Sequence, residues 1–244
     1  MDAPQPINSL ANITSQELTI SDIITGAWKI FSDHIQAIVL VTVAVFLPLN
    51  IITAFLPGSD ATAETFNAAS AVGLGISSVL LALAGVLVPV AIAHIVRRHL
   101  DRQPIDFKGA IRFSFSRWLP VIGTSLLMLV FLLGLTFLFV IPAIILGVYW
   151  AFTTYVVALK GQRGMAALKY SKAVVQGRWW KVIGYLIVFG CITSIIGYLI
   201  GLPFASIHSP IVNVLISTLS DIVFSFTIVA TAIFFINLDA VRRQ

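Results

Sequence analysis

A chain of 244 residues that is 59% hydrophobic and only 10% charged cannot bury its apolar side chains in one soluble core, since soluble domains usually carry about 25% charged residues. The bilayer must act as its solvent. The formal net charge of +5 comes from bases that flank apolar runs, where they meet anionic headgroups, so the basic balance points to a membrane surface and excludes nucleic acid as a partner.

The N-terminal stretch has no basic n-region and no isolated short apolar segment. No cleavable signal peptide is read there, and residues 1–18 are expected to be a loose cytoplasmic tail, followed by a single six-helix membrane domain over 19–244. Asn12-Ile13-Thr14 fits the glycosylation pattern but falls on the expected inner side, where the match is fortuitous. Six apolar runs, 35–56, 69–96, 119–140, 142–159, 182–202 and 211–238, each meet or slightly exceed the roughly 17 to 25 residues that cross hydrocarbon. Pro89 removes a backbone donor and is expected to kink the second near its inner end. The turn at Val140-Ile141-Pro142 makes the third and fourth a tight antiparallel hairpin.

A short helical stretch of mixed polarity precedes each outward-going span. In the first, Ser21 is the expected cap, and Ile20, Ile23, Ile24, Ala27 and Phe31 form the apolar face. Asp106 caps the second, with Phe107, Ala110, Ile111, Phe115 and Trp118 as its face. In the third, over 164–180, Ala167, Tyr170, Ser171 and Val174 line up beside Lys169 and Lys172. Helices of this kind lie in the interface. Gly26-Ala27-Trp28-Lys29-Ile30, Gly109-Ala110-Ile111-Arg112-Phe113 and Ala166-Ala167-Leu168-Lys169-Tyr170 echo one another at the same topological position. The echo is read either as chance or as three repeats of an interfacial helix plus a transmembrane hairpin.

All fifteen Lys and Arg residues fall before the first span, between the second and third, between the fourth and fifth, or after the sixth. The other connections hold none. Basic residues resist translocation, so the base-rich end is cytoplasmic and both termini are inside. Ser59 and Ser206 are then outside, Ser114 and Ser171 inside. Trp28, Trp118, Trp179 and Trp180 fall near the inner surface as anchors, and Trp150 lies deep in a span.

Small residues recur at Gly75, Ser78, Ala82 and Gly85, and at Gly190, Ser194, Gly197 and Gly201. These stripes read as close helix packing, or alternatively as a narrow substrate path. The single Cys191 can form no intrachain disulfide and reads as a small buried hydrophobe. The acids are scattered, with Asp60 and Glu64 in the first outer loop, and His34, His94, His99 and His208 lack metal-ligand spacing to carboxylates. No catalytic residue, metal site or cofactor is expected. Arg112, Lys169 and Lys172 are the candidate lipid-headgroup ligands, or else serve only to set orientation. Asp221, an acid in the last apolar run, is a candidate intramembrane polar site. It is read as a hydrogen-bonded structural acid, a proton or cation site, or an outer-surface acid, according to its depth.

From the third span onward the chain resembles the membrane domain of glycerophosphoryl diester phosphodiesterases and the related YciC-type inner-membrane proteins of bacteria. The likeness rests on Val140-Ile141-Pro142-Ala143-Ile144, the stretch QRGMAALKYSK from Gln162 to Lys172, Trp179-Trp180 and Ser217-Thr218-Leu219-Ser220. It implies architecture more than activity, because the phosphodiesterase is a separate soluble domain and none is read in this chain. The expectation is therefore an all-α integral protein of a bacterial inner membrane, non-enzymatic, that interacts with membrane phospholipids or serves as a scaffold, with a protein partner or a second copy as further partners. A small transporter or channel for a lipid-like or phosphate-bearing solute is the alternative.

Overall fold

The computed structural model describes residues 17–58, 65–138, 140–204, 207 and 209–244. Residues 1–16 of the tail with the Asn12 sequon, Ser59, Asp60, Glu64, Ser206 and His208 lie outside the described residues. The described chain is helical throughout, and six segments are long and apolar enough to cross a membrane: Ile35–Ala54, Ala68–Leu100, Phe107–Thr136, Val140–Lys160, Trp179–Phe204 and Pro210–Val241.

Helix α1 (Ile20–Asp33) is capped by Thr19 rather than Ser21. Thr19 is extended, and Asp22 three residues on returns a bond to its backbone N–H at 2.9 Å, closing a capping box that Ser21 has no partner to form. Ile23, Gly26, Ala27, Ile30 and Phe31 are its buried face. Ile20 and Ile24 sit instead on the exposed side with Trp28, so the apolar stripe is split between protein core and lipid. His34 interrupts the helix before α2 (Ile35–Ala54).

The second span is two helices, α3 (Ala68–Gly85) and α4 (Leu87–Leu100). The break fits Pro89, which has no N–H to offer the Gly85 carbonyl and whose ring crowds it. Helix α4 is buried nearly all round, from Leu87 and Val88 to Ile95, Val96 and Leu100. Most of α3 is exposed.

Helix α5 (Phe107–Leu138) corrects the expected separation of an interfacial helix from the third span: the two are continuous. Asp106 does accept from the Gly109 N–H at 3.1 Å. Pro120 alone does not stop the helix, and no residue between 107 and 138 leaves helical conformation as His34 and Gly177 (φ +83°) do after the other two stretches. Ala110 and Ser114 form its buried side, while Phe115 is exposed.

The fourth span is also broken, into α6 (Val140–Tyr149) and α7 (Thr153–Lys160), with Trp150 buried at the junction. Freed by the break, the Tyr149 carbonyl accepts from Ser171 Oγ at 2.8 Å. Helix α8 (Gly164–Val175) follows the left-handed Gly161 (φ +69°), and α9 (Trp179–Gly201), a short 3-10 turn and α10 (Pro210–Val241) complete the chain.

The core centres on α4, α7 and the C-terminal half of α10, the returning helices of three successive hairpins, and takes in the buried faces of α1 and α2 at Ile23, Ala27, Ile30, Ile38 and Val41. Aromatic rings join the last two: Phe152 lies edge-on to Phe234 at 5.7 Å and Tyr155 stacks on Phe235 at 6.0 Å. Helices α3, α5 and α9 present apolar side chains outward, as lipid-facing helices do.

The small-residue stripes lie largely on that outer surface, which corrects their reading as packing faces. A Cβ at Gly75, Gly190 or Gly201 meets nothing, and only ordinary contacts arise at Gly85, with Phe46, and Gly197, with Ser220. The close approach is elsewhere, at Gly73, whose Cβ position lies 1.7 Å from the Pro57 carbonyl oxygen. Cys191 is exposed on α9 rather than buried.

Candidate functional site

Three places stand out from the bundle, two polar and one apolar. The first gathers the ends of the core helices. Asp239, with its side chain 5% exposed, accepts from Lys160 of α7 at 2.6 Å, from Arg243 at 3.1 Å and from the Tyr170 hydroxyl of α8 at 2.5 Å, with Arg242 at 3.6 Å. Arg243 also donates to Tyr170 at 2.9 Å, and the Arg242 guanidinium lies over the Tyr170 ring at 4.4 Å. Nearby, Asn237 accepts from the Leu18 N–H at 3.1 Å. Glu17 holds Arg178 and Lys181, and the Arg178 guanidinium draws its carboxyl below the usual range. One end of the bundle thus collects bases from separate parts of the chain.

The second place surrounds Asp221. It stands midway along α10, half-buried, and Asn50 of α2 donates to it at 2.9 Å and to Thr218 at 3.2 Å. A cavity of about 390 Å³ opens beside Asn50, lined also by Thr53, Ser77, Asn213 and Ser217. Asp221 is therefore not a solitary outer-surface acid. Its bonding partner comes from the first span, and only Asn50, a single amide after Pro48 in an apolar run, signals it in the chain.

The third place is on the lipid-facing side. Ile141, Ile144, Ile145, Tyr149, Trp179 and Trp180 line an apolar groove of about 500 Å³. The Trp179 indole donates to the Ile145 carbonyl at 3.3 Å, and Trp180, 80% exposed, meets Trp179 edge-on. Lys172 Nζ sits 5.7 Å from the centroid of the Tyr149 ring, at the groove's wall. Arg112, Lys169 and Lys172 are all exposed, and none is in an ion pair among the described residues. Of the three, Lys172 is the one beside a residue that lines this groove, Tyr149.

The histidines hold a pairing that spacing does not reveal: His34 Nε2 lies 2.8 Å from His99 Nδ1. Burial lowers the pKa of His34 from its ordinary value. Among the described residues no cluster of His, Cys, Asp and Glu has the geometry of a metal site.

No curated protein and no solved structure matches the chain. A family model described as a domain of unknown function, DUF7847, matches residues 108–238, from α5 through most of α10, and with more than half of its length so matched the chain belongs to that family.

Proposed function

We propose that this chain is a non-enzymatic, multi-pass protein of a bacterial inner membrane whose basic, tryptophan-bearing end faces the cytoplasm and engages anionic phospholipids. The observation that carries the reading is the groove between α6 and the start of α9, with Lys172 against its Tyr149 wall. An acyl chain gains no hydrophobic free energy by leaving bulk lipid for such a groove, since both surroundings are apolar. Preference must then come from charge and from the indoles, which favour headgroup depth. A phosphate placed at Lys172 gains about 1 kcal/mol from each base within reach, so Lys169 beside it on α8 adds to the hold. The resemblance to the membrane domain of glycerophosphoryl diester phosphodiesterases and YciC-type proteins supports an inner-membrane setting. The test replaces Arg112, Lys169 and Lys172 by Gln and measures the phosphatidylglycerol retained by the purified protein. Retention should fall with topology intact; unchanged retention would remove these bases from the account.

A second reading, passage of a lipid-like or phosphate-bearing solute, is favoured by the polar crevice beside Asn50 and Asp221. Asp221→Asn keeps size and hydrogen bonding but removes titration. A pH-dependent flux into proteoliposomes should disappear in that variant, and its survival would eliminate Asp221 as the coupling group.

A further inference from the structure

We infer that the cavity at the converging ends of α4, α7 and α10 is a binding site for a phosphate-bearing anion. The cavity holds about 300 Å³ and is lined by Arg97 of α4, Lys160 of α7, Asp239 of α10 and Arg243 just beyond its end, with Leu159 and Phe235 also in the lining. That volume is at the lower end of small-ligand sites. Its walls come from all three returning helices, so the bundle itself fixes the spacing of Arg97 and Lys160, and Arg243 joins them from the turn that ends α10.

The charge balance is what points to an anion. Arg97 touches Asp101 at 2.8 Å, while Lys160, Arg242 and Arg243 all share the single carboxylate of Asp239. Four bases therefore meet two acids. Asp239 spends both oxygens on Lys160, Arg243 and Tyr170 and cannot satisfy the remaining guanidinium donors. Arg242 Nε is buried with no acceptor among the described residues, a second sign that this end of the bundle has more donors than acceptors. Arg97 and Arg243, with side chains 42% and 56% exposed, keep much of their hydration, but Lys160 is only 21% exposed, and an oxyanion entering the cavity offsets the cost of withdrawing its charge from water. Guanidinium groups match phosphate oxygens in geometry as well as charge, and two of the three lining bases are arginines. The site shares no residue with the lipid-facing groove or with Arg112, Lys169 and Lys172, so it stands independently of the function proposed above.

A soluble phosphate and a lipid headgroup offer the same chemistry, and the experiment separates the two. The full chain is reconstituted in nanodiscs of phosphatidylcholine and titrated calorimetrically with inorganic phosphate; in a second arm part of the lipid is phosphatidylglycerol, and the lipid that co-isolates is counted by native mass spectrometry. Saturable phosphate binding, or preferential retention of phosphatidylglycerol, is expected to weaken about fivefold in Arg97→Gln and further in Arg97→Gln with Lys160→Gln. Arg97→Gln suffices should the double variant fail to fold, because Arg97 lies outside the Asp239 cluster and pairs within its own helix. Weakening in the first arm identifies a soluble phosphate, weakening in the second alone a lipid headgroup, and either upholds the site. Binding that is absent from both arms, or unaltered by Arg97→Gln in a folded protein, overturns it. Should Lys172→Gln alone lower lipid retention, the groove stands and the cavity falls.

Discussion

Asp239→Asn removes the one negative charge around which three helices are fastened. Breaking a buried ion pair costs about 3–5 kcal/mol, because the surviving charge is left desolvated. Here the side chains of Lys160, Arg242 and Arg243 are 21%, 29% and 56% exposed, so each can turn partly to water. Asparagine also keeps an acceptor for Tyr170, 2.5 Å away in the wild type. These two effects bring the expected loss down to about 2 kcal/mol. The control is Asp33→Asn, whose partner Lys29 lies 3.6 Å away with both side chains more than 40% exposed, and which should cost about 0.3 kcal/mol. Unfolding of both variants by SDS in mixed micelles, followed by circular dichroism, gives the comparison. Equal losses for Asp239→Asn and Asp33→Asn would refute the idea that this carboxylate ties the core helices together.

Gly73→Ala places a methyl group where the Pro57 carbonyl stands, 1.7 Å from the Cβ position, so the turn after α2 must move and stability in the same assay should drop by about 1–3 kcal/mol. His34 carries a depressed pKa through burial, so protonation is opposed in the folded state. The stability it contributes is full above its ordinary pKa of 6.5 and is lost as pH falls through the lowered value. His34→Gln should flatten the decline of stability below about pH 6.5, and an identical pH profile would exclude His34 as its source. For the topology, Ser114 and Ser171 are wholly buried and unsuited to labelling. Cysteine at the exposed Gln103 or Gln176 should react with an impermeant maleimide only after cells are opened, and cysteine at Phe66 or Ile207 in intact cells; reaction of Gln103→Cys in intact cells would invert the orientation.

The six spans were legible because hydropathy reports a local property, the cost of exposing a peptide to hydrocarbon, and each apolar run carries it unaided. Breaks were partly legible: Pro89 announces the one between α3 and α4, whereas the break at Trp150 has no proline, and the carbonyl it frees at Tyr149 is met by Ser171, a residue 22 positions from Tyr149 in another helix. The continuity of α5 was hidden because mixed polarity over 107–118 describes where side chains lie, not where a helix ends. Small-residue stripes misled for a similar reason, since spacing shows that residues share a face but not which way the face looks. The Asp239 cluster was harder still. Asp239 stands three and four residues before Arg242 and Arg243, a spacing that reads as an ordinary surface pair, and only the fold brings in Lys160 and Tyr170. Asn50 and Asp221 are 171 residues apart, and neither charge nor pattern joins them.

The lipid account is tested most directly by a phosphatidylglycerol analogue carrying a photoreactive group in its acyl chain, reconstituted with the full chain and mapped by mass spectrometry after illumination. Adducts should concentrate on peptides that contain Ile141 to Tyr149 and Trp179-Trp180, the walls of the groove, and should diminish in Lys172→Gln. Adducts spread evenly over α3, α5 and the part of α9 beyond Trp180, with no change in that variant, would contradict a headgroup site at Lys172.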